Sequence, residues 1–459
     1  MPSRVAFYTL GCKLNQLETE SFADAFVHGA WAVLPFDDEK CAADLVIINT
    51  CTVTGKAEQK ARRIIRRALS DNPAAVVLIT GCYAEVEPET LAALDERALI
   101  LPGRCKEALL GLPVWLAARG EGGAFIDALR EWLACAIGAS ALGGGAAFAY
   151  NPEVFAFHTR PALKIQDGCD NACAYCRVRI ARGRAVSLAA AEVLARVRVL
   201  EEAGRAEIVL TGVNLSQYRD GDVDFPALLN LLIAGTQRIA FRLSSYEPDR
   251  IDAAFLDAFA HPRVRPHIHL AVQSGADPVL MGMGRNYRRA DVLSAVDSLR
   301  RVKGSFSGSL WRGPFIAADL IAGFPGETED DAAATMELAR DCDFAWIHVF
   351  RFSPRPGTRA SSMPNRVPER LVRERVEALL DLAKVCRTAY IDRWIEAELS
   401  AILEVGLGAT SSNYLKLKIR GLPEEARPGQ TVICRINEGR CISSEEDVDA
   451  FALYIQPEY

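Results

Sequence analysis

The chain has 459 residues, 50% of them hydrophobic and 24% charged, with a formal net charge of −6. That length exceeds one ordinary core and points to two or three domains, while the composition excludes a disordered or repetitive polymer. The acidic balance gives no global electrostatic argument for nucleic acid, so such a partner would have to be met by a local basic patch.

The opening stretch MPSRVAFYTLGCKLN lacks the apolar core and cleavage site of a secretory leader, and no apolar run is long enough for a membrane helix. A cytoplasmic protein with no membrane partner is the expectation. The 13 cysteines are then cluster ligands or core residues rather than disulfides.

Apolar runs at 5–10, 45–48 and 75–79 read as strands, and each leads to a cysteine: Cys12, Cys51 and Cys82. Helical spacing over 16–28, with Leu17, Phe22 and Phe26 near one face, completes a strand, loop and helix grammar that predicts a βαβ domain with a parallel sheet. Ligands of such sheets gather beyond the carboxyl ends of the strands. Each cysteine alone reads as a core thiol, but their shared placement makes them a candidate three-thiolate site. Cys41, Cys105 and Cys135 fit no such pattern and read as structural. The segment TGKAEQKARRIIRR places Lys56, Lys60, Arg62, Arg63, Arg66 and Arg67 on a helix, either as a solvated face or as an RNA-backbone contact. Small residues over 136–149 read as a linker, which closes a first domain at 1–145.

Residues 168–176, GCDNACAYC, offer Cys169, Cys173 and Cys176 in a CxxxCxxC run with no fourth cysteine before Cys342. Three thiolates in a tight loop suit a [4Fe-4S] cluster with one iron left open, whereas a zinc site wants a fourth protein ligand nearby. Strand ends at 207–210, 242–245, 269–273, 315–321 and 346–350 continue an alternation that predicts a partial (β/α)6 barrel over 152–392, with functional groups at the strand C-termini. The glycine of TGVN, Gly212, permits close backbone approach to a ligand, and DLIAGFPGET (319–328) puts small residues after a strand without the dinucleotide spacing.

From 393 to 459 the pattern changes to alternating runs at 398–404, 415–419 and 431–436, which predict a small all-β barrel. Lys416, Lys418, Arg420, Arg435 and Arg440 are its candidate RNA contacts. Glu445, Glu446, Asp447 and Asp449 form a negative run that favours the alternative of a scaffold without RNA contact.

The strings GCKLNQLET, NTCTVT, TGCYAE, GCDNACAYC, DLIAGFPGET and SPRPGT together resemble the methylthiotransferases of the radical S-adenosylmethionine superfamily, and the last region resembles their TRAM domain. The resemblance implies an α/β protein with an N-terminal parallel-sheet domain, a central partial (β/α)6 radical barrel and a TRAM-like β barrel. It implies two [4Fe-4S] clusters, a catalytic one on Cys169, Cys173 and Cys176 that binds S-adenosylmethionine, and one on Cys12, Cys51 and Cys82 involved in sulfur donation. Tyr175, Gly212, Ser245, Gln273, Asp319, Gly323 and His348 are implied around the cofactor. On the residues alone, His348 reads equally as a structural histidine, Asp319 and Glu247 as salt-bridge partners, and Arg285 and Arg288 of GRNYRR as an exposed loop.

The lysine after the first cysteine and the later Glu-Thr resemble the branch acting on N6-threonylcarbamoyladenosine at position 37 of tRNA. That branch implies the anticodon loop as partner and a flavodoxin- or ferredoxin-type electron donor. The branches acting on N6-isopentenyladenosine or on a ribosomal-protein aspartate are the near alternatives, and a non-catalytic iron–sulfur RNA-binding or sensor protein is the distant one.

Overall fold

A computed structural model describes residues 4–36, 43–119, 124–141, 147–152, 155, 157–302, 312–406, 408–439 and 448–455. Strands β1 (Arg4–Thr9), β2 (Ala32–Pro35), β3 (Leu45–Thr50), β4 (Val76–Gly81) and β5 (Ala98–Ile100) form one parallel sheet in the order β2-β1-β3-β4-β5. Every residue of β3 and β4 is buried, because helices cover both faces. Helix α1 (Lys13–His28) follows β1, and α2 (Gly55–Asp71) follows β3. Thr54 caps α2 by accepting from the Ala57 amide at 3.1 Å, and Ala61, Ile64, Ile65, Ala68 and Leu69 form its buried stripe.

The linker expected over 136–149 begins later than the composition suggested. Ala136 to Ala141 are the last turns of a helix, Phe125–Ala141, whose buried face at Leu129 and Trp132 continues to Ala136. Alanine favours helix, so small residues did not break it. Residues 142–146 lie outside the described residues. Cys105 is buried in the core and Cys135 is exposed, while Cys41 lies outside the described residues.

Seven parallel strands in two sheets build the central unit. Ala162–Lys164, Glu207–Thr211 and Ala240–Leu243 pair in one sheet; Ser245–Tyr246, His267–Gln273, Phe315–Ala322 and Trp346–Arg351 pair in a second. The chain passes between the sheets at Ser244, so the two arcs form an open barrel around a shared lumen. The C-terminal unit is a closed barrel of five strands, Glu398–Leu403, Gly408–Ser411, Lys416–Arg420, Thr431–Gly439 and Ala450–Tyr454. Sequence alternation found three of them and missed two. This barrel shares a core with Phe315, Ala317 and Ala345, so it seats on the N-terminal rim of the central strands.

Candidate active site

The loop carrying Cys169, Cys173 and Cys176 is pinned by backbone bonds from Cys169 to Gly183 (3.2 Å) and from Ala174 to Met283 (2.8 Å). Gly168 begins it at φ +66°, where a Cβ would lie 1.9 Å from the Arg184 carbonyl oxygen, so only glycine fits. The three thiols line one cavity of about 250 Å³. Burial pushes the Cys176 thiol up to about 12, with Cys173 and Cys169 adding to the rise, so metal binding there must displace protons. Arg285 is buried and donates to the Cys173 sulfur at 3.2 Å, held by Glu247 (2.9 Å) and by the Tyr287 hydroxyl (2.8 Å). Glu247 also accepts from Asn171 of the loop at 2.6 Å. The sequence left Arg285 open between a string resembling the family's and an exposed loop; tertiary packing brings it under the thiols.

Cys12, Cys51 and Cys82 follow β1, β3 and β4, which are neighbours in the sheet, so three distant cysteines end at one edge. Gly11, at φ +112°, packs so closely that a Cβ would lie 2.9 Å from the Cys51 sulfur. Gly81, at φ +94°, leaves 2.4 Å between a would-be Cβ and the Thr50 carbonyl oxygen. Burial raises the Cys51 thiol to about 12, and the nearby Cys82 and Cys12 add to the shift. Asn15 ties the turns together by donating to the Leu10 (2.8 Å) and Thr50 (3.0 Å) carbonyls and accepting from Arg182 at 2.7 Å.

Two buried ionic bridges join the thiol sets. Thr52, next to Cys51, donates to Glu58 at 2.5 Å, and Arg177, next to Cys176, donates to the same carboxylate at 3.3 Å and to Thr52 at 3.4 Å. Arg355 pairs with Glu58 and reaches Thr52 at 3.1 Å. On the other side, Arg182 binds Glu18 and Asp167, both at 3.1 Å, and Lys106 binds Glu18 at 2.5 Å. Although burial opposes its charge, Glu18 is held down at about 2 by Arg182, Lys106 and Lys164. These residues fix the spacing between the two sets. The only sequence signal was adjacency: Arg177 follows Cys176 and Thr52 follows Cys51.

Residues 4–102 match the Uncharacterized protein family UPF0004, and residues 163–339 match the Radical SAM superfamily. The Threonylcarbamoyladenosine tRNA methylthiotransferase MtaB of Treponema pallidum is 43% identical over 461 residues, covering 90% of this chain and 94% of its own. The chain belongs to the radical SAM methylthiotransferase family. The protein of the same name from Thermotoga maritima is 34% identical, covering 87% of this chain and 86% of its own. A tRNA-2-methylthio-N(6)-dimethylallyladenosine synthase from Chromobacterium violaceum is 32% identical over 82% of each. Among solved structures, the radical S-adenosylmethionine methyltransferase TsrM from Kitasatospora setae aligns over 78% of this chain and 77% of its own at 13% identity and TM-score 0.49, too remote to bear on activity.

As a radical SAM enzyme, this methylthiotransferase uses a [4Fe-4S] cluster and S-adenosylmethionine. Three free thiols, Cys169, Cys173 and Cys176, in a cavity with room beside them fit that pair chemically. Tyr175, Ser245, Gln273 and Asp319 line the same cavity. Gly212 and His348 do not; they line a second, larger cavity that also contains Ser245. Gly323 lines neither cavity: a Cβ there would lie 2.5 Å from Val372, because its helix Glu369–Asp392 packs across the strand end. Asp319 pairs with His269 at 2.8 Å, and His348 accepts from Trp346 at 3.1 Å, so both have internal partners.

The basic residues of this methylthiotransferase divide. On α2, Lys56, Lys60, Arg63 and Arg66 are exposed, whereas Arg62 donates to the Tyr83 hydroxyl at 2.5 Å and Arg67 pairs with Asp71 at 3.2 Å. Lys418 and Arg420 are exposed, and Arg435 pairs with Glu398 at 2.6 Å. Lys416, expected as an RNA contact, lies at the start of the same strand face as Lys418 and Arg420 but lines the second cavity, where its ammonium reaches the Thr410 hydroxyl at 3.4 Å. Asp449 is a buried partner of Arg387 rather than part of an acidic surface run. Arg440 and the residues at 445–447 lie outside the described residues. No helix among the described residues is long and apolar enough to cross a membrane.

Proposed function

We propose that this chain inserts a methylthio group at C2 of N6-threonylcarbamoyladenosine at position 37 of tRNA. The observation that carries the reading is the pair of three-thiol sets joined through Thr52, Glu58, Arg177 and Arg355, since a sulfur-inserting enzyme needs a radical source and a sulfur source at one base. The substrate follows the names of the relatives above. Cys169, Cys173 and Cys176 would hold the S-adenosylmethionine cluster, and Cys12, Cys51 and Cys82 a second [4Fe-4S] cluster. When bound, the first supplies a 5′-deoxyadenosyl radical for the C2 hydrogen and the second supplies the sulfur.

The chain's own residues do the rest. Arg285 offsets the charge of the Cys173 thiolate from within the fold. Glu247 orients Arg285 and the loop through Asn171. Tyr175, Ser245, Gln273 and Asp319 shape the cofactor wall. Because Cys169, Cys173 and Cys176 line a protein cavity, the target base has to leave its stack to reach them. The exposed cations of α2, whose N-terminus at Thr54 borders the cofactor cavity, position the tRNA backbone. An electron donor of flavodoxin or ferredoxin type and a cytoplasmic location complete the reading.

The test is mass spectrometry of tRNA nucleosides from cells with and without the gene. Loss of 2-methylthio-N6-threonylcarbamoyladenosine supports the proposal, and an unchanged level refutes it. Loss of the methylthiolated isopentenyl nucleoside instead assigns the sister branch.

A further inference from the structure

The second cavity, of about 430 Å³, lies where the three units meet, and its walls include Cys12, Lys13, Arg242, Arg387, Tyr414 and Lys416. Its volume is that of a small-ligand site. Its charge is lopsided. Asp449 is the one carboxylate among the described lining residues, and it is consumed by Arg387 (2.9 Å) and the Lys416 amide (2.6 Å). Arg242 is held from behind by Glu207 at 2.7 Å. Lys13 and Lys416 have no ion-pair partner among the described residues, and the Lys416 ammonium reaches the Thr410 hydroxyl at 3.4 Å and lies 5.9 Å from the centre of the Tyr414 ring.

The same walls hold polar atoms without partners. Arg242 (1% exposed) and Arg387 (6% exposed) each leave Nη1 unbonded, His267 leaves Nδ1 unbonded and Ser244 leaves Oγ unbonded. Buried polar atoms of this kind are rarely left idle, least of all four beside one cavity. Tyr414 gathers the cations: it stands at φ +69°, a strained value for a tyrosine, with its ring 4.1 Å from that of His267 and 5.1 Å from the Arg242 guanidinium. Ser245 lines both cavities and Cys12 lines this one, so the cavity adjoins the cofactor site and one of the N-terminal thiols.

We propose that this cavity receives the carboxylate-bearing N6 substituent of the substrate adenosine, with Lys13 and Lys416 as its counter-charges. The inference rests on the substrate reading above and adds to it a specificity site. A threonylcarbamoyl group carries a carboxylate, a hydroxyl and a ureido group, which match two lysines without a carboxylate partner among the described residues and the spare N–H donors of Arg242 and Arg387. A neutral prenyl group would leave all of them unpaired, and an unpaired buried polar site is what rejects a near-isostere.

The experiment uses the reconstituted enzyme and two anticodon stem-loop RNAs, one bearing N6-threonylcarbamoyladenosine and one bearing its methyl ester. Dissociation constants are read by fluorescence anisotropy and kcat/KM by methylthiolation, with iron content measured alongside. The wild type favours the acid over the ester by about 10- to 100-fold, the range expected of charge-assisted hydrogen bonds. Lys416→Met, remote in sequence from every cysteine, and Lys13→Met each weaken the acid about 10-fold while sparing the ester, and Lys13→Arg restores part of the preference. Equal constants for acid and ester in the wild type, or an unchanged ratio in both methionine variants, overturn this inference alone. A wild type that produces 5′-deoxyadenosine yet methylthiolates neither RNA removes the substrate reading and this inference with it.

Discussion

Glu58→Gln probes the bridge between the two thiol sets directly. The carboxylate accepts from Thr52 at 2.5 Å and Arg177 at 3.3 Å and pairs with Arg355, all within the protein interior. Neutralising it leaves Arg177 with Glu87 at 2.8 Å, but leaves Arg355 with only the Thr52 hydroxyl at 3.1 Å among the described residues. Stranding a buried cation costs about 3–5 kcal/mol. At about 2–4 °C per kcal/mol, the melting temperature of the affected unit falls on the order of 10 °C. The functional effect is distinct from the loss of stability. Each thiol set keeps its own ligands, so 5′-deoxyadenosine still forms, while methylthiolated product per 5′-deoxyadenosine drops because the spacing between the sets has loosened. Scanning calorimetry and a product ratio by mass spectrometry measure both. Adding Arg355→Met removes the stranded charge and recovers part of the stability. A Glu58→Gln enzyme with wild-type melting, or with an unchanged product ratio, refutes the argument.

Replacing Cys169, Cys173 or Cys176 with alanine abolishes 5′-deoxyadenosine formation, whereas Cys51→Ala spares it and blocks sulfur insertion; equal loss in both sets, measured by anaerobic chromatography, defeats that division of labour. Glu207, despite the opposing effect of burial, is held down at about 2 by Arg242 and Arg265, as Glu18 is by its own cations. Both therefore stabilise the fold fully above the ordinary carboxylate value of 4.5, and that contribution, on the order of 3 kcal/mol each, is lost as pH falls from there towards 2. Acid unfolding followed by near-ultraviolet circular dichroism shows the loss, and Glu207→Gln flattens it. Charge reversal at Lys60 and Arg63 weakens tRNA binding and lowers the slope of affinity against salt by about one per phosphate contact removed, read by filter binding across a salt series.

The elements along the chain were legible because their signals are local. Apolar runs ending at Cys12, Cys51 and Cys82, and the CxxxCxxC loop, carry strand ends and thiol spacing within a few residues of one another. Periodicity was weaker where a strand is short, as at Gly408–Ser411 in the C-terminal barrel, and where alanine serves both linker and helix, as after Ala136. Sign of charge was legible; destination was not. Lys416 and Asp449 were read as surface charges and are walls of a cavity, and Arg285 was open between a family string and an exposed loop and lies under the Cys173 thiol.

By itself, then, the sequence determined where the thiols lie: two sets of three, each at the end of a strand or in a glycine-bounded loop. Only the tertiary structure decided how those sets are held relative to each other and what surrounds them. Thr52 and Glu58, Arg177, and Arg355 come from three separate segments, and Lys13, Arg242 and Lys416 from three units. Ion pairs and cavities of this kind depend on long-range packing, for which a linear pattern has no period.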